Sequence, residues 1–237
     1  MLEDALEDQR LDIIVFAGDI LNSEEREKEW LNVCAAGKLP RKKNDDDDDD
    51  GVIDEMAYRE FFINLTGFGV PVIFVPGHLD SPTSRLQKAL SDFPNVINIQ
   101  DAPYQIGGYT FTGWGGAIGP VDADGKFYCT KERNFKKKFS SGFDSDPEKT
   151  IFLVHTPPVS RVDIDSVIGE HVGSKVINEI LEKHKPTFCF CGHAHGTPGQ
   201  DLLASTTVVN PGPMFKGRYA IVDTEQHKVI FPTPLRV

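Results

Sequence analysis

Two histidines two residues apart, His193 and His195, stand in Gly192-His193-Ala194-His195, directly after the apolar run Phe188-Cys189-Phe190-Cys191. In extended chain, side chains at i and i+2 point to the same side. This pair can therefore reach two adjacent metal ions, or both sides of one site. Three more pieces share the setting: Gly18-Asp19 follows Ile13-Ile14-Val15-Phe16, Gly77-His78-Leu79-Asp80 follows Val72-Ile73-Phe74-Val75, and His155 follows Ile151-Phe152-Leu153-Val154. Open α/β sheets place their sites outside the carboxyl ends of strands, which is where all four pieces fall. Singly, each has a plain structural role: a turn, a helix-capping Asp, a core or surface His. Jointly they point to a metal centre, because four of the seven histidines, His78, His155, His193 and His195, fall in them.

The elements that must position these residues follow from the hydrophobic pattern and the cap signals. Residues 2–10 read as helix and 11–17 as a buried strand. Residues 23–36 read as a helix with Asn22 as a cap and Glu25 three residues later. A helix over 53–66 offers Met56, Tyr58, Phe61, Phe62 and Leu65 as its apolar face. Strands are expected over 71–75, 96–99, 150–154, 187–191, 206–209, 218–222 and 229–231. Helices are expected over 84–93 and, capped by Ser174, over 174–184; residues 131–139 make a short basic helix. Residues 104–114 read as a hairpin turning at Gly107-Gly108. Strand and helix alternate early and strands dominate late, which suggests layered α/β with two sheets.

Residues 37–51 form an insertion, basic at Arg41-Lys42-Lys43 and then six aspartates at 45–50. Such a run repels itself and has nothing apolar to bury. Asp46, Asp48, Asp50 and Gly51 match half of a calcium loop, but Ala57 stands where the closing bidentate Glu belongs. Cys189 and Cys191 alternate with Phe188 and Phe190, so both thiols share one face and read as buried and reduced rather than as a Cys-x-Cys metal site. Cys34 and Cys129 stand alone, and no disulfide framework is implied.

At these motifs the chain resembles the calcineurin-like metallophosphoesterases. That family carries, in order, Asp-x-His, Gly-Asp, Gly-Asn-His-Asp, a lone His and Gly-His-x-His. The last four occur here in order, three unchanged and Gly-Asn-His-Asp altered to Gly77-His78-Leu79-Asp80, with His155-Thr156-Pro157-Pro158 around the lone His and Asn210-Pro211-Gly212 after the last motif. The resemblance implies an α/β fold, a four-layer α/β/β/α sandwich, as a single domain over 1–237. It implies two divalent metal ions, with manganese, iron and zinc all suited, and a hydroxide generated on them that attacks phosphorus. Asp19 is then the bridging carboxylate. His155 and His193 hold one metal, His195 holds the other, and His78 takes the place of the family's Asn as a ligand to the first. Asp80 matches the Asp that orients the neighbouring catalytic His.

Two departures bear on activity. Asp-x-His is absent: the 17 residues before Gly18 contain no His, so the family's first strand is expected to be missing from this chain. Leu79 stands where the family has its general acid, and leucine cannot transfer a proton; His78 is the alternative acid, a role it cannot combine with that of metal ligand. General acid catalysis contributes about 10²–10⁴-fold. A slow phosphomonoesterase or phosphodiesterase favouring good leaving groups is therefore expected, with Leu79→His a gain of function. The same departures motivate a second class of function, a degenerate family member that acts by binding a ligand or partner.

The net charge of −11 lacks any basic stripe, which disfavours nucleic acid as a partner. A small phosphate ester remains a suitable substrate where metal cations carry the local positive charge. No apolar run approaches the ~18 residues needed to span a bilayer. The acidic start, Met1-Leu2-Glu3-Asp4, lacks a signal peptide's basic region and apolar core, so no membrane partner and a cytoplasmic location are expected. The loops at 113–119, 157–173 and 211–216 are the expected pocket walls; His171, in the second, reads as a surface residue before a substrate-facing one.

Overall fold

Short β-branched and aromatic runs form the strands, and capped segments form the helices, in a computed structural model that describes residues 10–36, 49–100, 102–119, 121–139, 143 and 146–235. The architecture is mixed α/β with several sheets, the class expected. The chain divides into two compact units. The expected helix over 2–10 lies outside the described residues, as does most of the acidic insertion.

In the unit made of Asp12–Ala102 and Gly113–Ser141, strands β1 (Ile14–Phe16), β2 (Val72–Phe74) and β3 (Val96–Asn98) form a parallel sheet in that order. Parallel neighbours need crossovers. These come from α1 (Glu24–Ala36) and α2 (Asp49–Thr66) before β2, and from α3 (Thr83–Leu90) before β3. β2 is fully buried, whereas β1, the first in order among the described strands of this sheet, is only half-buried, less than expected. Ser23, not Asn22, caps α1: the Arg26 N–H donates to Ser23 Oγ at 3.2 Å.

Tyr58, Phe62 and Leu65 of α2 pack with Leu21, Val72, Phe74, Leu86, Ala89 and Val96. Met56, expected on that face, is instead 66% exposed. α2 also starts earlier than expected, at Asp49. Asp50 and Gly51 are therefore helical, which a calcium loop with its sharp turn at Gly does not allow. Asp54 of α2 ties the helices together. Its buried carboxylate accepts from Arg26 Nη1 of α1 at 3.1 Å and from Arg85 Nη1 of α3 at 2.9 Å. Removing one partner of such a pair strands the others, and here both guanidiniums keep some water. Asp54→Ala is expected to lower stability by about 1–3 kcal/mol, read as a shift in the urea midpoint at unchanged slope.

The same unit holds a small sheet absent from the sequence reading. Its strands β6 (Ala117–Gly119), β7 (Ala123–Asp124) and β8 (Tyr128–Lys131) lie in the order β6-β8-β7, and α4 (Glu132–Lys138) follows. A second core cluster here gathers Trp30, Val33, Leu79, Ala117, Phe127 and Cys129. Burial pushes the Cys129 thiol up to about 11.

The other unit is made chiefly of Pro103–Thr112 and Gly142–Val237. Its strands include β4 (Tyr104–Ile106), β5 (Tyr109–Trp114), β9 (Thr150–Val154), β10 (Phe188–Phe190), β11 (Gly199–Leu203) and β12 (Thr206–Asn210). They form a six-stranded sheet in the order β11-β12-β10-β9-β5-β4. β10 pairs in parallel with both β9 and β12, so the carboxyl ends of all three meet one edge. The β4–β5 hairpin turns at Gly107-Gly108 as expected, both with positive φ. Ser174 caps α5 (Lys175–His184), its Oγ accepting from the Val176 N–H at 3.3 Å. β13 (Ile221–Asp223) and β14 (Lys228–Ile230) form an antiparallel pair. Cys189 and Cys191 are free and fully buried, and burial drives both thiols far up, so they are inert packing groups. Among the described residues, no helix is long and apolar enough to cross a membrane.

Candidate metal centre

Asp19 and His78 sit on loops leaving the carboxyl ends of β1 and β2, and glycine lets those loops touch. Gly18 has φ +94, and a Cβ there would stand 2.2 Å from the Gly77 nitrogen. A Cβ on Gly77 would stand 2.0 Å from Asp19 Oδ1. No other residue fits either place. The approach leaves Asp19 Oδ2 3.1 Å from His78 Nδ1, both side chains being over nine-tenths buried. The Leu79 N–H donates to Asp19 Oδ1 at 2.9 Å, which fixes the carboxylate from its other side. The Trp30 ring, with its centroid 4.7 Å from that of His78, supports the imidazole.

Asp80 is the bolt of this arrangement. Its fully buried carboxylate accepts from the Asp19 N–H at 2.7 Å, the Gly77 N–H at 2.7 Å and the Leu21 N–H at 3.0 Å. The resemblance gave it a histidine to orient. With Leu79 at that histidine's position, Asp80 orients backbone instead. Leu79 itself points into the apolar cluster with Trp30 and Phe127 and is 1% exposed.

The other unit carries the remaining histidines at its own strand ends. His155 follows β9 and is buried. His193 follows β10, and the two rings meet edge to face with centroids 5.0 Å apart. The Gly192 N–H donates to the His155 carbonyl at 3.2 Å, which joins the two loops. Asn210, at the end of β12, braces the turn: its Nδ2 donates to the carbonyls of Ala194 at 2.7 Å and Val162 at 2.9 Å. His195 is half-buried, its ring centroid 5.5 Å from that of Phe215. Asp19 and His193 both adopt left-handed backbone, φ 63 and φ 64. Such strain, of order 1–3 kcal/mol, persists where surrounding bonds over-determine the turn and clusters at functional sites.

Comparison with known proteins agrees with these loops. A family model described as metallophosphoesterase, calcineurin superfamily, matches residues 1–233. The chain belongs to that superfamily. Uncharacterized protein MJ1162 of Methanocaldococcus jannaschii is 34% identical over 167 residues, 67% of this chain and 70% of that one. A solved crystal structure matches at TM-score 0.83 and 26% identity, covering 99% of this chain and 92% of its own. The crystal structure of TT1561 of Thermus thermophilus matches at TM-score 0.65 and 19% identity, covering 94% of this chain and 98% of its own, a likeness of fold.

Metallophosphoesterases use divalent metal ions, and the donor set fits that chemistry. One carboxylate, held on one oxygen by a backbone N–H and turned with the other toward an imidazole, is a suitable ligand for manganese, iron or zinc. Gly212 and Gly217, both at positive φ, serve tight turns: a Cβ on Gly212 would meet Arg218 at 2.8 Å and one on Gly217 would meet Leu235 at 2.2 Å. Sequence reasoning passed over Asp163. It is wholly buried and accepts from the Gly173 N–H at 3.2 Å, while its Oδ1 lies 2.6 Å from His171 Nδ1.

Proposed function

We propose that this metallophosphoesterase hydrolyses small phosphomonoesters or phosphodiesters, with Asp19, His78, His155, His193 and His195 as the residues that would hold two divalent cations. The observation that carries this reading is the Asp19–His78 pair, buried and set at 3.1 Å by the Asp80 network. Buried carboxylate and imidazole groups held this rigidly are what a metal site requires and what ordinary packing avoids. Divalent cations bound there polarise a phosphoryl oxygen and lower the pKa of water. Asp19 holds its carboxylate in one orientation against the Leu79 N–H, and His193 presents its ring from a turn braced by Asn210 and tied to His155 through the Gly192 N–H. Leu79 neither gives nor takes a proton, so unless another residue supplies the acid, esters with good leaving groups are the preferred substrates.

The same leucine favours a second reading. A chain that has buried the general-acid position in its core could retain the fold and bind phosphate compounds without turning them over. Metal content after manganese loading, with hydrolysis of bis(4-nitrophenyl) phosphate on the same sample, separates the two. The hydrolase reading expects about two metals per chain and turnover that a chelator removes and manganese restores. A metal-loaded chain without turnover would leave the binding protein.

A further inference from the structure

Residues 157–174 form a narrow hairpin-like excursion on the unit that carries His155, His193 and His195. The Val172 N–H donates to the Asp163 carbonyl at 2.9 Å, and the Asp165 N–H to the Glu170 carbonyl at 2.9 Å. Ile164 bridges antiparallel to His171, and Pro158 pairs with Ser174. This excursion is fastened to the Gly-His-x-His turn. The Gly196 N–H, one residue after His195, donates to the Ile164 carbonyl at 2.9 Å, and the Ile164 N–H donates to Thr197 Oγ1 at 3.0 Å. Asn210 holds both Val162 and Ala194. His171 therefore lies on the strand paired with Ile164, whose other edge is bonded to the loop of two proposed metal ligands.

The side chain of His171 is 59% exposed, whereas that of Asp163 beneath it has no exposure. A wholly buried carboxylate is costly unless its oxygens are used. Here both are: Oδ2 accepts from the Gly173 N–H, and Oδ1 accepts from His171 Nδ1 at 2.6 Å. A Cβ on Gly173 would stand 2.5 Å from Asp163 Oδ2, so a glycine at that place gives the carboxylate its room. A carboxylate on Nδ1 fixes both the ring and its tautomer, leaving Nε2 to exchange a proton with whatever approaches. Asp165 and Glu170 are the other acidic groups of the excursion.

We infer that His171 is the general acid of this chain, taking the role Leu79 cannot fill, and that Asp163 is its positioning residue. The inference rests on the hydrolase reading above. As a water oxygen forms its bond to phosphorus and gives up a proton to solvent, the bond from phosphorus to the leaving oxygen breaks and its electron pair passes to that oxygen. The proton on His171 Nε2 passes to the same oxygen. The ring is left neutral, with its Nδ1 proton held by Asp163, and solvent returns the Nε2 proton.

The test compares kcat/KM of the manganese-loaded protein for a nitrophenyl ester, which needs no acid, and for an alkyl phosphodiester, which does. In His171→Gln the nitrophenyl-to-alkyl ratio is expected to rise about 10²-fold or more. An active wild type whose ratio is unmoved by His171→Gln overturns the assignment. Wild type that turns over neither ester sinks the hydrolase reading itself. A second measurement needs no turnover. Histidine ¹⁵N shifts are expected to show the neutral His171 ring protonated at Nδ1 in wild type and shifted toward the Nε2–H form in Asp163→Asn. A wild-type ring protonated at Nε2 overturns the role of Asp163.

Discussion

Asp80→Ala is expected to cost about 3–5 kcal/mol of stability and to lower turnover by about 10²-fold or more in the protein that still folds. Three backbone N–H groups, those of Asp19, Leu21 and Gly77, donate to this one buried carboxylate. Alanine leaves all three without that acceptor in a place closed to water, and each buried donor so left costs about 1–3 kcal/mol. The damage is also geometric. Asp19 stays in left-handed backbone because its N–H is held by Asp80, and the same oxygen holds Gly77, against which Asp19 packs. Without that bond the Asp19 carboxylate loses its fixed distance to His78, and misplacement by about 1 Å is worth roughly 10²-fold in rate. Urea unfolding of Asp80→Ala beside wild type reads the first effect, and turnover of bis(4-nitrophenyl) phosphate reads the second. An unfolding midpoint within experimental scatter of wild type would show that the three donors are satisfied without Asp80.

How far the fold could be read from sequence depended on whether local pattern or tertiary contact decided each feature. The strands that deliver the site loops were legible because each is a short apolar run closed by a turn, and β9 and α5 came within a residue of their expected bounds. Ser174 and the Gly107-Gly108 turn were legible for the same reason, since cap and hairpin chemistry are local. The sheet of β6, β7 and β8 was not, because runs as short as Ala123–Asp124 carry no period of their own and pair only once Phe127 and Cys129 are buried. Asp163 was invisible for a similar reason. In Val162-Asp163-Ile164-Asp165 the two aspartates alternate alike. Only the missing Cβ of Gly173, ten residues on, buries one of them. Asn22 lost the cap of α1 to Ser23, a displacement of one residue that cap signals alone do not resolve.

Leu79→His, which the motif comparison expects to restore a general acid, is expected instead to destabilise the protein and to leave turnover of alkyl esters no faster. A residue at the right place in a motif acts only if its side chain faces the site. Leu79 faces away, packed among Trp30, Val33, Ala117, Phe127 and Cys129. An imidazole there forfeits the leucine's apolar burial and brings two ring nitrogens into a cluster that supplies hydrocarbon, indole and thiol groups. Burying an uncompensated polar group costs about 1–3 kcal/mol on mutational scales, and forcing a different shape into a packed core about 1–3 kcal/mol more. A net loss near 3 kcal/mol corresponds to a fall of roughly 6–12 °C in Tm for a chain of this size. Leu79→Met, which keeps volume and polarity, is the control and is expected to stay within about 1.5 kcal/mol of wild type. Thermal unfolding of the two variants, with turnover of an alkyl phosphodiester alongside, decides the matter. A Leu79→His protein as stable as Leu79→Met and faster than wild type on the alkyl ester would mean that the ring had swung out of the core into the site. The acid would then belong at position 79, and the assignment of that role to His171 would fall with it.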